Sequence, residues 1–77
     1  METLDKVIEI VATTCDVDKS EVNENSTVGD FATWDSVGHL SILSSVEETF
    51  DISFDPEEMM ELEDVKDIVE AVNAKLA

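Results

Sequence analysis

The sequence of 77 residues has few of the residue types that build covalent or metal-bound frameworks: one cysteine, one histidine, one proline and two glycines. The single cysteine, Cys15, excludes an intramolecular disulfide framework. No apolar run approaches the roughly 20 residues that span a bilayer. The first residues, METLDKVIEIV, are acidic and amphipathic, whereas a signal peptide is basic and then apolar. We therefore expect a cytoplasmic protein that does not enter a membrane.

Basic residues are also scarce. Four lysines and no arginine oppose twenty acidic residues, so the formal net charge is −16. This charge repels phosphate backbones and anionic lipids, which excludes nucleic acids and membrane surfaces as partners. Basic protein surfaces are the natural partners instead. Repulsion between copies also favours a monomer.

Hydrophobic residues make up 43% of the chain, which is enough for the core of one small domain over residues 1–77. The first periodic segment predicts a helix over about residues 3–15, because its apolar residues recur at spacings of three and four. Those residues are Leu4, Val7, Ile8, Val11, Ala12 and Cys15. Cys15 completes the apolar face and is predicted to be a buried core thiol.

A long connection follows over residues 16–35. It is rich in Asn, Asp, Ser and Thr, which favour turns and caps over helix interiors. Connections of this length are unusual in a compact domain unless they are functional or disordered. Scattered apolar residues favour an ordered connection that is pinned to the core: Val17, Val22, Val28, Phe31 and Trp34.

A second helix is predicted to begin at Asp35 or Ser36, with Asp35 as its N-cap. Its apolar residues predict a broad buried face: Val37, Leu40, Ile42, Leu43, Val46 and Phe50.

Two more helices complete an all-α fold. A short third helix over residues 55–62 has Asp55 as its cap, Pro56 at its first position and Glu58 completing a capping box. A fourth helix runs over about residues 64–75. Its apolar stripe is Val65, Ile68, Val69, Val72 and Leu76. The pattern predicts a small four-helix bundle, with three main helices, a short third helix and a long loop between the first two.

Ser36 is the candidate functional residue. At a helix start, the free N–H groups and the helix dipole favour an anion, so a phosphodiester on the Ser36 hydroxyl would have part of its charge compensated. The adjacent Asp35 carboxylate could help to hold Mg²⁺ during transfer of the phosphate group. Asp and Ser are also common helix-start residues for purely structural reasons, and these two residues alone do not separate the two interpretations.

The whole chain resembles the acyl carrier proteins. The family signature is Asp-Ser followed by an aliphatic residue, which Asp35-Ser36-Val37 matches. Apolar and acidic residues elsewhere follow the family in register. They are Val17, Val22, Val28 and Phe31 in the loop, Leu40, Ile42, Leu43, Val46, Glu47, Glu48 and Phe50 in the second helix, then Ile52, Phe54 and the acidic third helix.

The resemblance implies that Ser36 carries 4′-phosphopantetheine, a phosphodiester modification installed from coenzyme A by a phosphopantetheinyl transferase. The thiol of this arm holds acyl groups as thioesters, and the protein delivers them to acyl-loading and acyl-processing enzymes with basic docking surfaces. On this interpretation the chain is a carrier and not an enzyme. Carriers of this family can shelter the acyl chain between their helices.

Three residues depart from the familiar fatty-acid carriers. Gly38, His39 and Ser41 stand where those carriers have an acid, a small polar residue and another acid. Together with Trp34, they make the chain resemble carriers of specialised lipid or polyketide pathways more closely, and also surface-polysaccharide, nonribosomal-peptide and amino-acyl carrier systems. An amino-acyl or peptidyl carrier of the same fold is the main alternative. An acidic helical interaction module without a cofactor is a further one.

Several residues near Ser36 are predicted to contact partners: Trp34, Val37, His39, Glu47, Glu48, Met59 and Met60. Trp34 is either a lid over the core or an exposed anchor. Of Met59 and Met60, a helix can bury only one fully, which leaves the other for adaptable apolar contact with a partner.

Two more specific functions, a hydrolase and a calcium site, do not fit the sequence. A Ser36–His39 hydrolase lacks a nucleophile elbow and a glycine-built oxyanion hole. A calcium loop starting at Asp16 would need glycine where Glu21 stands and glutamate where Thr27 stands. No metal site is therefore predicted.

Overall fold

The computed structural model describes residues 2–77. Within that range, the chain contains helices and no strand beyond one isolated β-bridge. The helices are α1 (Glu2–Cys15), α2 (Ser36–Phe50), α3 (Pro56–Glu61) and α4 (Val65–Leu76), with a single 3₁₀ turn at Lys19–Glu21. The predicted all-α class, with three main helices and a short third one, is confirmed. The 3₁₀ turn was not predicted.

The core lies where α1 packs against both α2 and α4, which are its two close helical neighbours. Each of the three helices directs an apolar stripe to this centre. The largest fully buried side chains are Trp34, Ile42, Leu43, Ile68, Val7, Val11, Val46, Val65 and Val72. Cys15 is 4% exposed, so the prediction of a buried thiol is confirmed.

Three residues that were predicted to lie in buried stripes are exposed instead. Val37 and Leu40 of α2 are 73% and 58% exposed, because the stripe that meets the core begins further along, at Ile42. Successive residues turn by about 100° around a helix axis, which places Val37 almost opposite Ile42, Leu43 and Val46.

Leu76 shares the face of the α4 stripe but lies in the final turn, and it is 54% exposed because the core does not extend that far.

The first connection is ordered, as predicted, because it pairs with the segment between α3 and α4. The Val28 N–H donates to the Glu63 carbonyl at 3.0 Å, and the Val65 N–H donates to the Ser26 carbonyl at 3.0 Å. The Thr27 hydroxyl also donates to the Glu63 carbonyl, at 2.8 Å. These contacts hold the loop that precedes α2 beside the end of α3, which brings both walls of the candidate site together.

Helix α3 lies at the edge of the bundle, and polar contacts hold its first turn. Pro56 is at its first position, as predicted, and the Asp55 N–H donates to Glu58 Oε1 at 3.0 Å. Lys75 of α4 lies 2.9 Å from the same carboxylate. The Asp55 N–H, and then Lys75, lower the pKa of Glu58 below its ordinary value of 4.5. The Glu58 anion is therefore favoured in the folded state.

This pKa shift predicts a pH-dependent difference between the native protein and Glu58→Gln. A lowered folded-state pKa stabilises the fold above the ordinary value of 4.5, and the contribution is lost as pH falls through the folded-state pKa. The melting temperature of Glu58→Gln should therefore be lower than that of the native protein at pH 7, and the difference should vanish under acid conditions. Thermal melts of both proteins across this pH range measure it. The control is Glu57→Gln on the same turn, and an equal, pH-dependent deficit there would contradict the assignment.

Candidate functional site

The first turn of α2 begins at Ser36, as the sequence predicts. Asp35 is the N-cap, and its Oδ1 accepts a hydrogen bond from the Gly38 N–H at 2.9 Å. Ser36 is exposed, so its hydroxyl is open to a partner enzyme. The cap and the exposure together place an accessible hydroxyl oxygen at the positive end of a helix of 15 residues.

Two amides at this helix start remain available to an anion. Asp35 satisfies the Gly38 N–H through its side chain and the His39 N–H through its carbonyl. Among residues 2–77, the N–H groups of Ser36 and Val37 have no acceptor in the protein. No acidic side chain lies in this first turn. Although the chain has a net charge of −16, the start of α2 can therefore accommodate a phosphodiester.

Gly38 is required by a close approach of the backbone. A Cβ atom at this position would overlap the Thr33 carbonyl oxygen, which lies against the helix. The Thr33 hydroxyl donates to the Cys15 carbonyl at 3.0 Å, so the turn before α2 is also fastened to the end of α1. Glycine in place of an acid is thus explained by packing, although glycine costs a helix about 1 kcal/mol relative to alanine.

Trp34 is a core residue, so the prediction that it contacts partners is wrong. Its side chain is 0% exposed, and a side chain without exposed surface cannot anchor a docked protein. The indole N–H donates to His39 Nδ1 at 3.0 Å. The other ring nitrogen of His39 lies 2.6 Å from the Leu62 carbonyl oxygen, at the end of α3. His39 is half-buried, and both of its ring nitrogens are bonded inside the protein.

An open groove of about 580 Å³ runs between α2 and α3 beside Ser36. Its lining residues are Thr27, Val28, Ser36, His39, Leu40, Met59, Met60, Leu62 and Glu63. Met59 is half-buried and packs against the core, whereas Met60 is 81% exposed. The predicted division of the two methionines is confirmed. The groove offers apolar contact to any group that is attached at Ser36.

The two glutamates of α2 differ in their surroundings. Glu47 is half-buried, and its Oε2 accepts a hydrogen bond from the Phe54 N–H at 2.8 Å. It therefore fastens the connection between α2 and α3. Glu48 is exposed. Partner contacts by Val37, His39, Glu47, Glu48, Met59 and Met60 stay predictions, and Glu47 has an internal role in addition.

An exposed serine at a capped helix start, with two open amides and an apolar groove beside it, is suited to hold a group through a phosphodiester. Residues 5–72 match the protein family described as the phosphopantetheine attachment site. The chain therefore belongs to this family, whose prosthetic group is 4′-phosphopantetheine and whose members carry intermediates without a catalytic activity of their own.

The structure is also similar to a solved carrier. The solution NMR structure of a holo acyl carrier protein from Geobacter metallireducens has a TM-score of 0.84 and 30% sequence identity. The match covers 99% of this chain and 87% of that one. No curated protein sequence shows significant similarity to this chain.

The residues at the start of α2 fit the prosthetic group, since they combine an open hydroxyl with unpaired amides and a nearby groove.

Across residues 2–77, no helix is both long and apolar enough to cross a bilayer. In that same range, no three His, Cys, Asp or Glu side chains are grouped so that they could hold a metal ion.

The close approach at Gly38 predicts the outcome of Gly38→Ala. Helix propensity alone would make alanine stabilising by about 1 kcal/mol. The overlap of its Cβ with the Thr33 carbonyl should instead shift the turn and destabilise the protein by about 1–3 kcal/mol. Urea unfolding measures the change. Ser44→Ala, at an exposed position of the same helix, is the control and should be neutral or stabilising; a stabilised Gly38→Ala protein would contradict the packing argument.

Proposed function

We propose that the chain is a carrier protein whose Ser36 holds 4′-phosphopantetheine and which serves a specialised biosynthetic pathway. The observation that carries the proposal is the placement of Ser36. It is exposed, it opens α2, and its own N–H and that of Val37 are available to an anion. One domain over residues 1–77 is sufficient for this role, although Met1 lies outside the described residues. Mutual repulsion at a charge of −16 favours a monomer, and a cytoplasmic setting remains our expectation.

The chain's own residues prepare the site for a phosphodiester. Ser36 presents its hydroxyl to the transferase, and the amides of the first turn compensate the anion that results. Asp35 keeps this turn helical by accepting the Gly38 N–H, and it adds a carboxylate beside the hydroxyl. When bound, the prosthetic group supplies a thiol that holds cargo as a thioester. The protein then positions the cargo and limits its contact with water through the groove beside Ser36.

The surface around Ser36 indicates how partners dock. Val37, Leu40 and Met60 are large apolar side chains with most of their surface exposed, and they lie on the two helices that flank the groove. The acidic residues of this region include the exposed Glu57 and Glu61 of α3, Glu63 at the groove and Asp35 beside Ser36. A partner with an apolar centre and a basic edge that meets α3 fits this distribution.

The first turn of α2 has no acid, which supports service in a specialised pathway. Enzymes that recognise carboxylates at the start of this helix lack their contacts here. An amino-acyl or peptidyl carrier of the same fold is the second candidate function. Loading assays with acyl-transferring enzymes and with amino-acid-activating enzymes separate the two candidates.

The attachment site is tested by intact mass. Incubation with coenzyme A and a broad-specificity phosphopantetheinyl transferase should add the mass of one phosphopantetheine group to the native protein and none to Ser36→Ala. Ser41→Ala and Ser44→Ala change exposed serines of the same helix and should load normally. A mass gain that survives Ser36→Ala would refute the site, and the absence of a gain in the native protein would refute the carrier function.

The docking surface is tested by a matched pair of substitutions. Leu40 and Leu76 are 58% and 54% exposed, but only Leu40 lies beside Ser36. Leu40→Ser should lower kcat/KM for loading by the transferase about tenfold, or about 1.4 kcal/mol, mainly through KM. Leu76→Ser should leave it unchanged. Equal effects of the two substitutions would place the docking surface elsewhere.

A further inference from the structure

The hydrogen bonds of His39 define one state of its ring. An indole N–H can only donate, so His39 Nδ1 must accept the bond from Trp34 through its lone pair. In the neutral ring the proton is then on Nε2, which donates to the Leu62 carbonyl oxygen at 2.6 Å. The ring therefore joins three segments: the loop before α2, α2 itself and the residue that follows α3.

This connection lies at the inner wall of the groove beside Ser36. His39 and Leu62 both line the groove, and the bond between them spans from α2 to the end of α3. Trp34 is 0% exposed and does not line the groove, so it lies behind His39. Its ring stacks on Phe31, with centroids 6.4 Å apart and planes inclined by 8°, and on His39, with centroids 6.2 Å apart.

A chain that passed between His39 and Leu62 into the core would meet two obstacles. It would have to break the bond from Nε2 to the Leu62 carbonyl, which leaves two polar groups unpaired in an apolar passage. It would then meet the indole of Trp34, which fills the space behind the ring in a close-packed core. The open part of the groove, against Leu40, Met59 and Met60, presents neither obstacle.

We propose that Trp34 and His39 close the inner end of the groove, so that cargo tethered at Ser36 stays in the open groove and does not enter the helical core. The inference rests on the proposed function and specifies its substrate class. The carrier suits short or polar acyl groups, amino-acyl groups included, whose length the groove can cover. A long alkyl chain would extend past the groove into water, where the protein gives it no shelter.

The test loads the full chain with acetyl, hexanoyl and decanoyl phosphopantetheine from the corresponding acyl-coenzyme A. A tethered chain that is buried only in the folded state raises the melting temperature, because it binds the native state selectively. Contact with the open groove can raise the melting temperature of the native protein from acetyl to hexanoyl cargo, but hexanoyl and decanoyl cargo should give the same melting temperature, because the additional length stays in water. The amide resonances of Val46, Ile68 and Val72, and the indole N–H resonance of Trp34, should not shift with chain length.

Two variants test whether His39 closes the inner end of the groove. His39→Gln keeps a donor for the Leu62 carbonyl and an acceptor for the Trp34 N–H, so it should also melt at the same temperature with hexanoyl and decanoyl cargo. His39→Ala removes both, and its melting temperature should rise from hexanoyl to decanoyl while the core resonances shift. If His39→Ala also melts at the same temperature with these two cargoes, the assignment to His39 is overturned.

The native protein with its three cargoes tests whether cargo enters the core, even if His39→Ala does not fold. A melting temperature that rises from hexanoyl to decanoyl in the native protein, with shifts at the core amides, would overturn the inference and leave the carrier function intact. If the native chain takes up no phosphopantetheine, both the proposed function and this inference fall. Intact mass, measured before each melt, distinguishes these two results.

Discussion

The tight turn before α2 is the constraint on which the site depends. The Thr33 carbonyl lies so close to the helix that only glycine fits at position 38. The Thr33 hydroxyl holds the same residue on the end of α1, and Asp35 caps the helix from the other side of the turn. Because these contacts determine where the helix begins, they also determine that Ser36 is its first residue. A start one residue earlier or later would place the Ser36 hydroxyl differently with respect to the open amides.

The same turn brings Trp34 into the core, and the burial of Trp34 has a further consequence. A buried indole N–H needs an acceptor, since leaving it unpaired costs about 1–3 kcal/mol. His39 supplies that acceptor and so is left with one proton to donate, which it gives to the Leu62 carbonyl. The position of α3 is thus coupled, through two hydrogen bonds, to the conformation of the loop in front of Ser36. Helix α3 has few apolar contacts of its own, which makes this polar coupling important for the width of the groove.

Much of the fold could be predicted from local sequence patterns. Helix starts follow from residues that act within one turn, such as Asp35 at α2 and the Asp55–Glu58 pair at α3, and these were predicted correctly. The periodicity of α1 also identified its buried face. For α2, periodicity failed at Val37 and Leu40, because apolar residues there occur around most of the helix and the sequence does not say which of them meet α1.

The Trp34–His39–Leu62 connection could not be predicted in the same way, because its last acceptor is a backbone carbonyl 23 residues away from His39. A partial signal was present. His39 lies one turn before Ile42 and Leu43 on the core side of α2, where an unpaired imidazole would be costly, so a buried polar partner was required. Trp34 is the nearby residue whose donor needs an acceptor. The indole N–H of Trp34 needs an acceptor and the buried imidazole of His39 needs a polar partner. Together, these two needs predict that Trp34 lies inside the protein.

The distribution of charge separates two stages of partner recognition. A net charge of −16 attracts basic proteins from a distance and raises their encounter rate, but it carries little information about where they should bind. Beyond its cap Asp35, the first turn of α2 has no acid, and its exposed Val37 is apolar, so short-range contact there depends on shape and burial. An acid in this turn would weaken the anion site at Ser36 by adding negative charge near the open amides. Apart from its cap Asp35, the start of α2 is therefore free of acids, which lie on α1, in the first connection, at the end of α2 and from α3 onward. Under the proposed function, the long-range attraction comes from these distributed acids, and the position of a partner at the serine depends on its fit to the apolar groove.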